Sequence, residues 1–364
     1  MTKFKVYSYR IYPDCKAQEG RMEYLLDLAD NAFDELANKL NAEKKRGSSS
    51  SALYTCVSAH SFVSPVSVVA AARVKKEAAK LIPKLVSGDI TSLLPRNRFR
   101  STRHVDIPMP QIIRDRAKIE GVGYAKIVLH RPLPSDATVY RTTLKSACAG
   151  AEYYIDYAVR YEAPEVIPAY PNLDKVLGID YTQDGLYVDS IGRSAGYPGF
   201  KALGQQRIFR LEAELQKHRK GSSRWKKVNL QLEKAKKHIE RQRDDWQYKK
   251  AVELADNYDA VCHENLDFNG MIKFDPRLAK KISDNDWNGF HRKLSDKFEM
   301  RGKYLLEAPK YFPSSRICSR CSAHADYLPP NERVFVCDNC GLTIDRDHNA
   351  AIVLHDEGVK MLVA

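Results

Sequence analysis

The chain has 364 residues, 43% of them hydrophobic, which is enough for two or three cores and excludes a small domain held by disulfides. It has no run of about 18 apolar residues and no apolar signal core near its start, so we expect no membrane span, no secretion and a cytoplasmic protein. Lys and Arg (59) outnumber Asp and Glu (46), and the net charge of +13 favours a nucleic-acid partner.

The first hundred residues are predicted to be mostly helical. Residues 4–11 alternate apolar and polar side chains and predict a strand. Apolar residues at helical spacing predict one helix over 20–43 and a second over about 66–86, with a flexible break at the serine run 47–51. The arginine-rich stretch 94–106 has no helical period and is interpreted as an exposed basic loop.

A change of pattern divides the rest of the chain. Residues 105–162 contain strand patterns separated by turn residues, and three prolines within 162–172 predict a linker. A hairpin is expected over 175–192. Two helices are then predicted, at about 201–218 and 224–257.

The two helices carry most of the positive charge. Residues 201–250 contain 16 Lys and Arg against 6 Asp and Glu, and thus +10 of the total +13. Trp225, Leu232, Ile239 and Trp246 recur every seven residues and predict the seam along which the basic helices pack. The charge alone fits either a solvated face or a nucleic-acid contact.

Beyond residue 257, strands and helices alternate. A short strand is expected to end at Glu264, followed by a helix with Trp287, Phe290 and Leu294, another strand, and a closing helix that starts near 345. This alternation predicts an α/β sheet interrupted by a cysteine-rich module.

Four of the eight cysteines form two Cys-x2-Cys pairs, Cys318 with Cys321 and Cys337 with Cys340, separated by fifteen residues. Two such knuckles can supply four thiolates to one tetrahedral zinc ion. Unrelated pairs and a redox dithiol are the alternatives, but a redox site does not need a second pair at this distance. A closed four-thiolate shell would make the zinc structural, with Arg316, Arg320 and Arg333 presented at the surface.

Three acids stand where predicted elements begin or end. Asp180 ends the apolar strand VLGID, Glu264 ends the strand within DAVCHEN, and Asp347 opens the last helix. Carboxylates gathered at one end of a sheet would repel unless they were protonated or neutralised by metal, and paired Mg²⁺ ions about 4 Å apart suit phosphodiester hydrolysis. Taken singly, ordinary roles compete: Asp180 in a turn, Glu264 at a solvated strand end, and Asp347 as a helix N-cap.

The chain resembles TnpB, the transposon-encoded RNA-guided nuclease related to type V CRISPR effectors. Six segments carry this resemblance, and they occur in the same order as in that family. They are LHRPLP (129–134), GID (178–180), ENLDFNGM (264–271), YFPSSRICSRC (311–321), CDNCG (337–341) and DRDHNAA (345–351). The resemblance covers about 105–355 well, and the segments around the cysteines are the most specific.

The resemblance implies a nuclease of the RuvC-like, RNase H type that cleaves DNA beside a short flanking motif under RNA guidance. Asp180, Glu264 and Asp347 match its three acids and would hold two Mg²⁺ ions, with Asp180 bridging them. Asp345 lies in the same motif, but the family's acid precedes the x-Asn-Ala-Ala stretch, which selects Asp347. His348 is expected to face solvent.

The implied fold class is α+β and multidomain. An oligonucleotide-binding-type β-barrel (1–15 and 100–165) would contain a helical recognition insert (16–99) and would be joined by a linker (166–172) to an RNase H-like domain (173–315 and 343–364). A zinc-binding target nucleic-acid-binding module (316–342) would interrupt that domain.

The implied partners are a guide RNA from the element end and double-stranded target DNA, with a monomer expected, a dimer left open, and association with the nucleoid. Ten basic residues are candidate nucleic-acid contacts: Arg96, Arg98, Arg100, Lys126, Arg131, Arg224, Lys227, Lys234, Arg316 and Arg346. For Arg346, contact with the scissile phosphate competes with a structural salt bridge.

Three other functions remain open on the sequence. A guided DNA-binding repressor would lack cleavage, although all three acids are present here. A transposase with an RNase H-like core would act without guide RNA, and a CRISPR-associated effector would differ in the source of its guide.

Overall fold

The computed structural model describes residues 2–97, 100–163, 166–275, 278–325 and 332–364. The chain divides into two compact units, one made of 1–164 with 213–234 and the other of 165–212 with 235–364. Within the described residues, none of the helices combines the length and apolar character needed to cross a bilayer.

The first unit is built on a seven-stranded antiparallel sheet in the order β2-β6-β7-β1-β5-β4-β3. Its strands are β1 (Thr2–Tyr12), β2 (Arg103–Asp106), β3 (Gln111–Ile113), β4 (Arg116–Ile119), β5 (Gly123–Val128), β6 (Thr138–Ala147) and β7 (Glu152–Glu162). β1 pairs along most of its length with β7 and only at its end with β5, so the sheet curls. Tyr9, Ile11, Ile155 and Tyr157 fill the core of this sheet.

Four helices lie between β1 and β2: α1 (Lys16–Lys45), α2 (Ser50–Ala59), α3 (Val68–Ala79) and α4 (Ile82–Ser87). The predicted break at the serine run lies between α1 and α2, where Ser49 caps α2 by accepting a hydrogen bond from the Ala52 N–H. The single helix predicted over 66–86 is two helices, and Pro83 stands in the first turn of the second.

The second unit contains a four-stranded sheet in the order β11-β10-β8-β9. Its strands are β8 (Val176–Thr182), β9 (Leu186–Asp189), β10 (Ala260–His263) and β11 (Tyr304–Glu307), and a separate hairpin joins β12 (Val334–Val336) to β13 (Thr343–Asp345). β10 runs parallel to both β8 and β11, whereas β9 is antiparallel to β8, as the predicted hairpin requires. The expected alternation of strands and helices is therefore present.

Six helices complete the description: α5 (Phe200–Gln216), α6 (Ser223–Asn257), α7 (Phe268–Phe274), α8 (Leu278–Asn285), α9 (Trp287–Met300) and α10 (Arg346–Val363). The predicted seam residue Ile239 on α6 packs against Gly204 of α5, where a Cβ would lie 2.3 Å from Ile239 Cδ1. Trp246, another seam residue, packs against the core that contains Trp287, Phe290 and Leu294.

Candidate active site

Two parallel neighbouring strands bring two of the acids together. β8 and β10 pair with Ile179 opposite His263, so the next residues, Asp180 and Glu264, lie side by side. Asp180 also pairs with Val188 of β9 and thus lies within β8. The alternative that made Asp180 a turn residue is therefore wrong.

The third acid comes from α10, which packs directly on β8. A Cβ at Gly178 would lie 2.0 Å from the carbonyl oxygen of Ala351 and 2.3 Å from the backbone nitrogen of His355, so only glycine allows this approach. The helix is capped by Asp345, whose carboxylate accepts a hydrogen bond from the His348 N–H. Asp347 is therefore not the N-cap, and its side chain is left for another role.

The three acids interact electrostatically. Burial raises the pKa of Asp180 well above its usual value, and the charges of Glu264 and Asp347 raise it further. The pKa of Glu264 is raised by burial and by Asp347, against a hydrogen bond from Ser314. Burial also raises the pKa of Asp347, although Arg333 lies 3.2 Å away and opposes the shift. The site thus gathers acids that resist losing all their protons unless cations join them.

Within the described residues, the four cysteines are the only group of three or more His, Cys, Asp or Glu whose donor atoms all lie within 4.8 Å of one another. Arg346 contributes positive charge beside all three acids and acts against burial on each pKa.

The cysteine sulfurs have the geometry of a closed tetrahedral site. Sγ of Cys318 lies 3.6 Å from that of Cys340, and Sγ of Cys321 lies 3.6 Å from that of Cys337. A tetrahedron with Zn–S bonds of about 2.3 Å has edges of roughly 3.8 Å, so the four sulfurs fit one zinc ion. A hydrogen bond from Asn339 contributes most to lowering the pKa of Cys321 to about 6, whereas burial and the neighbouring cysteines raise the pKa of Cys340 to about 12 against a hydrogen bond from the Leu342 backbone.

Further residues of the site were not singled out from the sequence. Ser314 donates a hydrogen bond to the Glu264 carboxylate, and Asn349 binds the backbone on both sides of Cys318. His263, buried beside Glu264, donates its Nδ1–H to the Glu264 carbonyl oxygen at 2.8 Å, which requires a protonated Nδ1. Ser314 and Asn349 lie inside two of the six quoted segments and His263 lies in DAVCHEN, which was the signal available.

His348 does not face solvent as expected. Its ring packs on the turn after β9, where a Cβ at Gly192 would lie 3.0 Å from His348 Cε1. Its Nε2 lies 3.4 Å from the carbonyl oxygen of Ser190. The half-buried ring therefore helps to hold α10 against the sheet.

The predicted exposed basic loop is wrong for the arginines that the structure describes there. Arg103 is buried, and Arg96 and Arg100 have side chains 13% and 25% exposed because all three pair with the buried Asp30. Contact between phosphate and Arg96 or Arg100 stays a prediction. Both arginines already form an ion pair with Asp30. Arg98 lies outside the described residues.

The other candidate nucleic-acid contacts divide by exposure. Six are exposed, namely Lys126, Arg131, Arg224, Lys227, Lys234 and Arg316, and Arg346 is partly buried beside the acids. Arg131 also lies over the ring of Tyr7, with Cζ 4.5 Å from the ring centroid. Phosphate binding by these residues stays a prediction.

Comparison with known proteins finds two family models that match parts of the chain. Residues 157–275 match the family model OrfB_IS605, described as "Probable transposase", and residues 287–354 match the model described as "Cas12f1-like, TNB domain". The chain is 25% identical over 144 residues to a TnpB-like protein of Acanthamoeba polyphaga mimivirus, covering 38% of this chain and 27% of that one. The chain is therefore similar to TnpB-like proteins along part of its length.

Other relatives point to the same similarity. A Streptomyces pristinaespiralis protein named "Putative RNA-guided DNA endonuclease" is 28% identical over 221 residues, which cover 61% of this chain and 53% of that protein. The match thus spans about half the length of that relative. A cryo-EM structure of a Cas12f1-sgRNA-target DNA complex has a similar fold, with a TM-score of 0.56, 12% identity, and coverage of 97% of this chain and 99% of that one.

Proposed function

We propose that this chain is an RNA-guided DNA endonuclease of a transposon, which cleaves target DNA beside a short flanking motif. The observation that carries the proposal is the convergence of Asp180 on β8, Glu264 just after β10 and Asp347 on α10. Burial raises the pKa of all three acids, and repulsion between them raises those of Asp180 and Glu264 further. The name of the Streptomyces relative supports the same activity.

The acids suit hard divalent cations, because Mg²⁺ prefers carboxylate oxygens. Two Mg²⁺ ions held by Asp180, Glu264 and Asp347 would activate the attacking water and stabilise the leaving 3′ oxygen. Asp180 would be the central ligand of such a site, because the charges of Glu264 and Asp347 both act on its carboxylate.

The surrounding residues of the chain then have defined tasks. Gly178 permits the close approach that brings Asp347 to the sheet, and Asp345 fixes the first turn of α10. Arg346, whose charge acts on all three acids, is placed to attract a phosphate of the target strand. In such a hydrolysis, Gly178 and Asp345 would orient the acids, and Arg346 would bind the phosphate and neutralise part of its charge.

The cysteine module fits one structural zinc ion, which would stabilise the fold of residues 316–342 and leave no open position for catalysis. Elemental analysis of purified protein should give about one zinc per chain. A ratio near zero in folded protein would contradict this assignment.

The remaining predicted roles belong to the same proposal. The curled sheet of the first unit is assigned as the oligonucleotide-binding-type barrel, the helices after β1 as the recognition insert, and the second unit as the RuvC-like domain with its zinc module. Guide RNA and double-stranded DNA would meet the exposed basic residues, and we propose a monomer that acts at the nucleoid.

The experiment that tests this function is to express the chain with its native flanking DNA, purify it at moderate salt, and sequence the RNA that stays bound. A single structured RNA with a variable end should be recovered, and DNA matching that end should be cut only while the RNA is intact. Heterogeneous RNA that salt removes, or cleavage that survives RNase treatment, would instead favour an RNA-independent transposase.

A further inference from the structure

A serine links the segment before the first cysteine pair to the acidic centre. Ser314 is 1% exposed and donates its hydroxyl hydrogen to Oε1 of Glu264. It begins the short 3-10 turn Ser314–Arg316, four residues before Cys318. A hydrogen bond to one carboxylate oxygen restricts the Glu264 rotamer and leaves the other oxygen for a cation.

An asparagine fixes the same segment to α10. Asn349 is completely buried, and its Nδ2 donates to the carbonyl oxygen of Ile317 at 2.7 Å while its Oδ1 accepts from the Ser319 N–H at 3.0 Å. Ile317 and Ser319 flank Cys318, whereas Asn349 lies two residues after Asp347. The backbone on both sides of one cysteine is therefore held by the helix that carries an acid.

The second cysteine pair is connected to the same helix. In the hairpin of β12 and β13, Val334 pairs with Asp345, the residue that caps α10. Just before that hairpin, Nη1 of Arg333 lies 3.2 Å from Oδ2 of Asp347. Both halves of the cysteine module thus end in contacts with the acidic centre.

We propose that the cysteine module sets the geometry of the acidic centre, with Ser314 as the positioning residue for Glu264 and Asn349 as the attachment to α10. The inference rests on the proposed function, because it takes Glu264 and Asp347 as metal ligands. Partners of this kind around metal ligands typically change metal affinity by about 10- to 100-fold when they are removed. The module would then have a structural effect on the acids in addition to any contact with nucleic acid.

The test measures Mn²⁺ binding to the zinc-loaded full chain without nucleic acid, by the electron paramagnetic resonance signal of free Mn²⁺. S314A should bind Mn²⁺ about tenfold more weakly, whereas S314T keeps the hydroxyl group and should restore most of the affinity. S315A is the matched control, since Ser315 makes no side-chain hydrogen bond within the described part of the chain. N349A should weaken binding in the same direction while zinc stays bound.

Two results separate this inference from the function on which it rests. If D180A abolishes Mn²⁺ binding and S314A binds as tightly as the wild type, the positioning role is overturned and the acidic metal site stands. If the wild type binds no Mn²⁺, or D180A binds as well as the wild type, the metal site itself is contradicted. Equal loss in S314A and S314T would show a packing effect and would also overturn the role of the hydroxyl group.

Discussion

Both units bury acids, but they neutralise them differently. In the first unit, Asp30 is completely buried and accepts from the guanidinium groups of Arg96, Arg100 and Arg103 at 3.4, 2.6 and 3.0 Å. In the second unit, Asp180 is 8% exposed and faces two other acids that raise its pKa.

The contrast distinguishes two uses of a buried carboxylate. Arginines supplied by the chain complete the first arrangement, which links α1 to the segment entering β2. The arginines near the second arrangement, Arg333 and Arg346, leave the pKa values of all three acids raised. A buried acid with its own cations is therefore part of the fold, whereas acids gathered without enough cations indicate a metal site.

The largest expected effect is on catalysis. D180N should lower guided cleavage by about three orders of magnitude or more, because it removes the proposed central ligand while keeping the shape of the side chain. Guided binding of target DNA should persist, as measured by gel shift beside a cleavage assay. D184N, at the exposed end of the same hairpin, is the matched control and should cleave normally.

Cleavage by D180N at the wild-type rate would remove Asp180 from the active site. A wild-type protein that binds guided DNA without cutting it would instead favour the repressor function.

The second prediction compares the two buried aspartates by stability. D30N should destabilise the protein by about 3 kcal/mol, because it leaves three arginines without their shared buried anion. D180N, measured without divalent metal, should lose no stability, since it removes a charge that burial and neighbouring acids disfavour. Urea unfolding of both variants and the wild type measures the difference, and equal destabilisation of the two would break the comparison.

The sequence predicted the second unit more completely than the first. The strand patterns around Asp180 and Glu264 and the paired cysteines are local features of the sequence. The resemblance to TnpB then selected the three acids, so the site residues could be named. The burial of Arg96, Arg100 and Arg103 could not, because it depends on Asp30, more than sixty residues away along the chain. The contacts of Ser314 and Asn349 were missed for the same reason: a hydroxyl or amide side chain gives no periodic signal, and its partner is fixed only by tertiary packing.

The third prediction concerns divalent cations at the acidic centre of the second unit. Mg²⁺ at a hundredfold excess over its dissociation constant should stabilise the folded site by about 2.7 kcal/mol. Hydrogen exchange should therefore slow in β8, β10 and the first turn of α10, and it should stay unchanged in α1 and β2. Protection in both units, or in D180A as much as in the wild type, would contradict a site built on these acids.

The smallest expected effect is a pH dependence in the first unit. Although burial opposes it, hydrogen bonds from His104 and Arg73 and the charge of Arg96 lower the pKa of Glu77 to about 2. Because this pKa lies below its unfolded value of 4.5, the stabilisation is complete above about pH 4.5 and is lost as the pH falls toward 2.

E77Q should therefore be less stable than the wild type by about 1 kcal/mol at pH 6, since the site is partly exposed to solvent. Urea midpoints at pH 6 and pH 3 should show this gap narrowing, whereas E43Q, which removes an exposed ion pair with Arg46, should differ little from the wild type. A constant gap for E77Q would mean that Glu77 acts through packing and would remove it from the set of acids that the chain neutralises with its own cations.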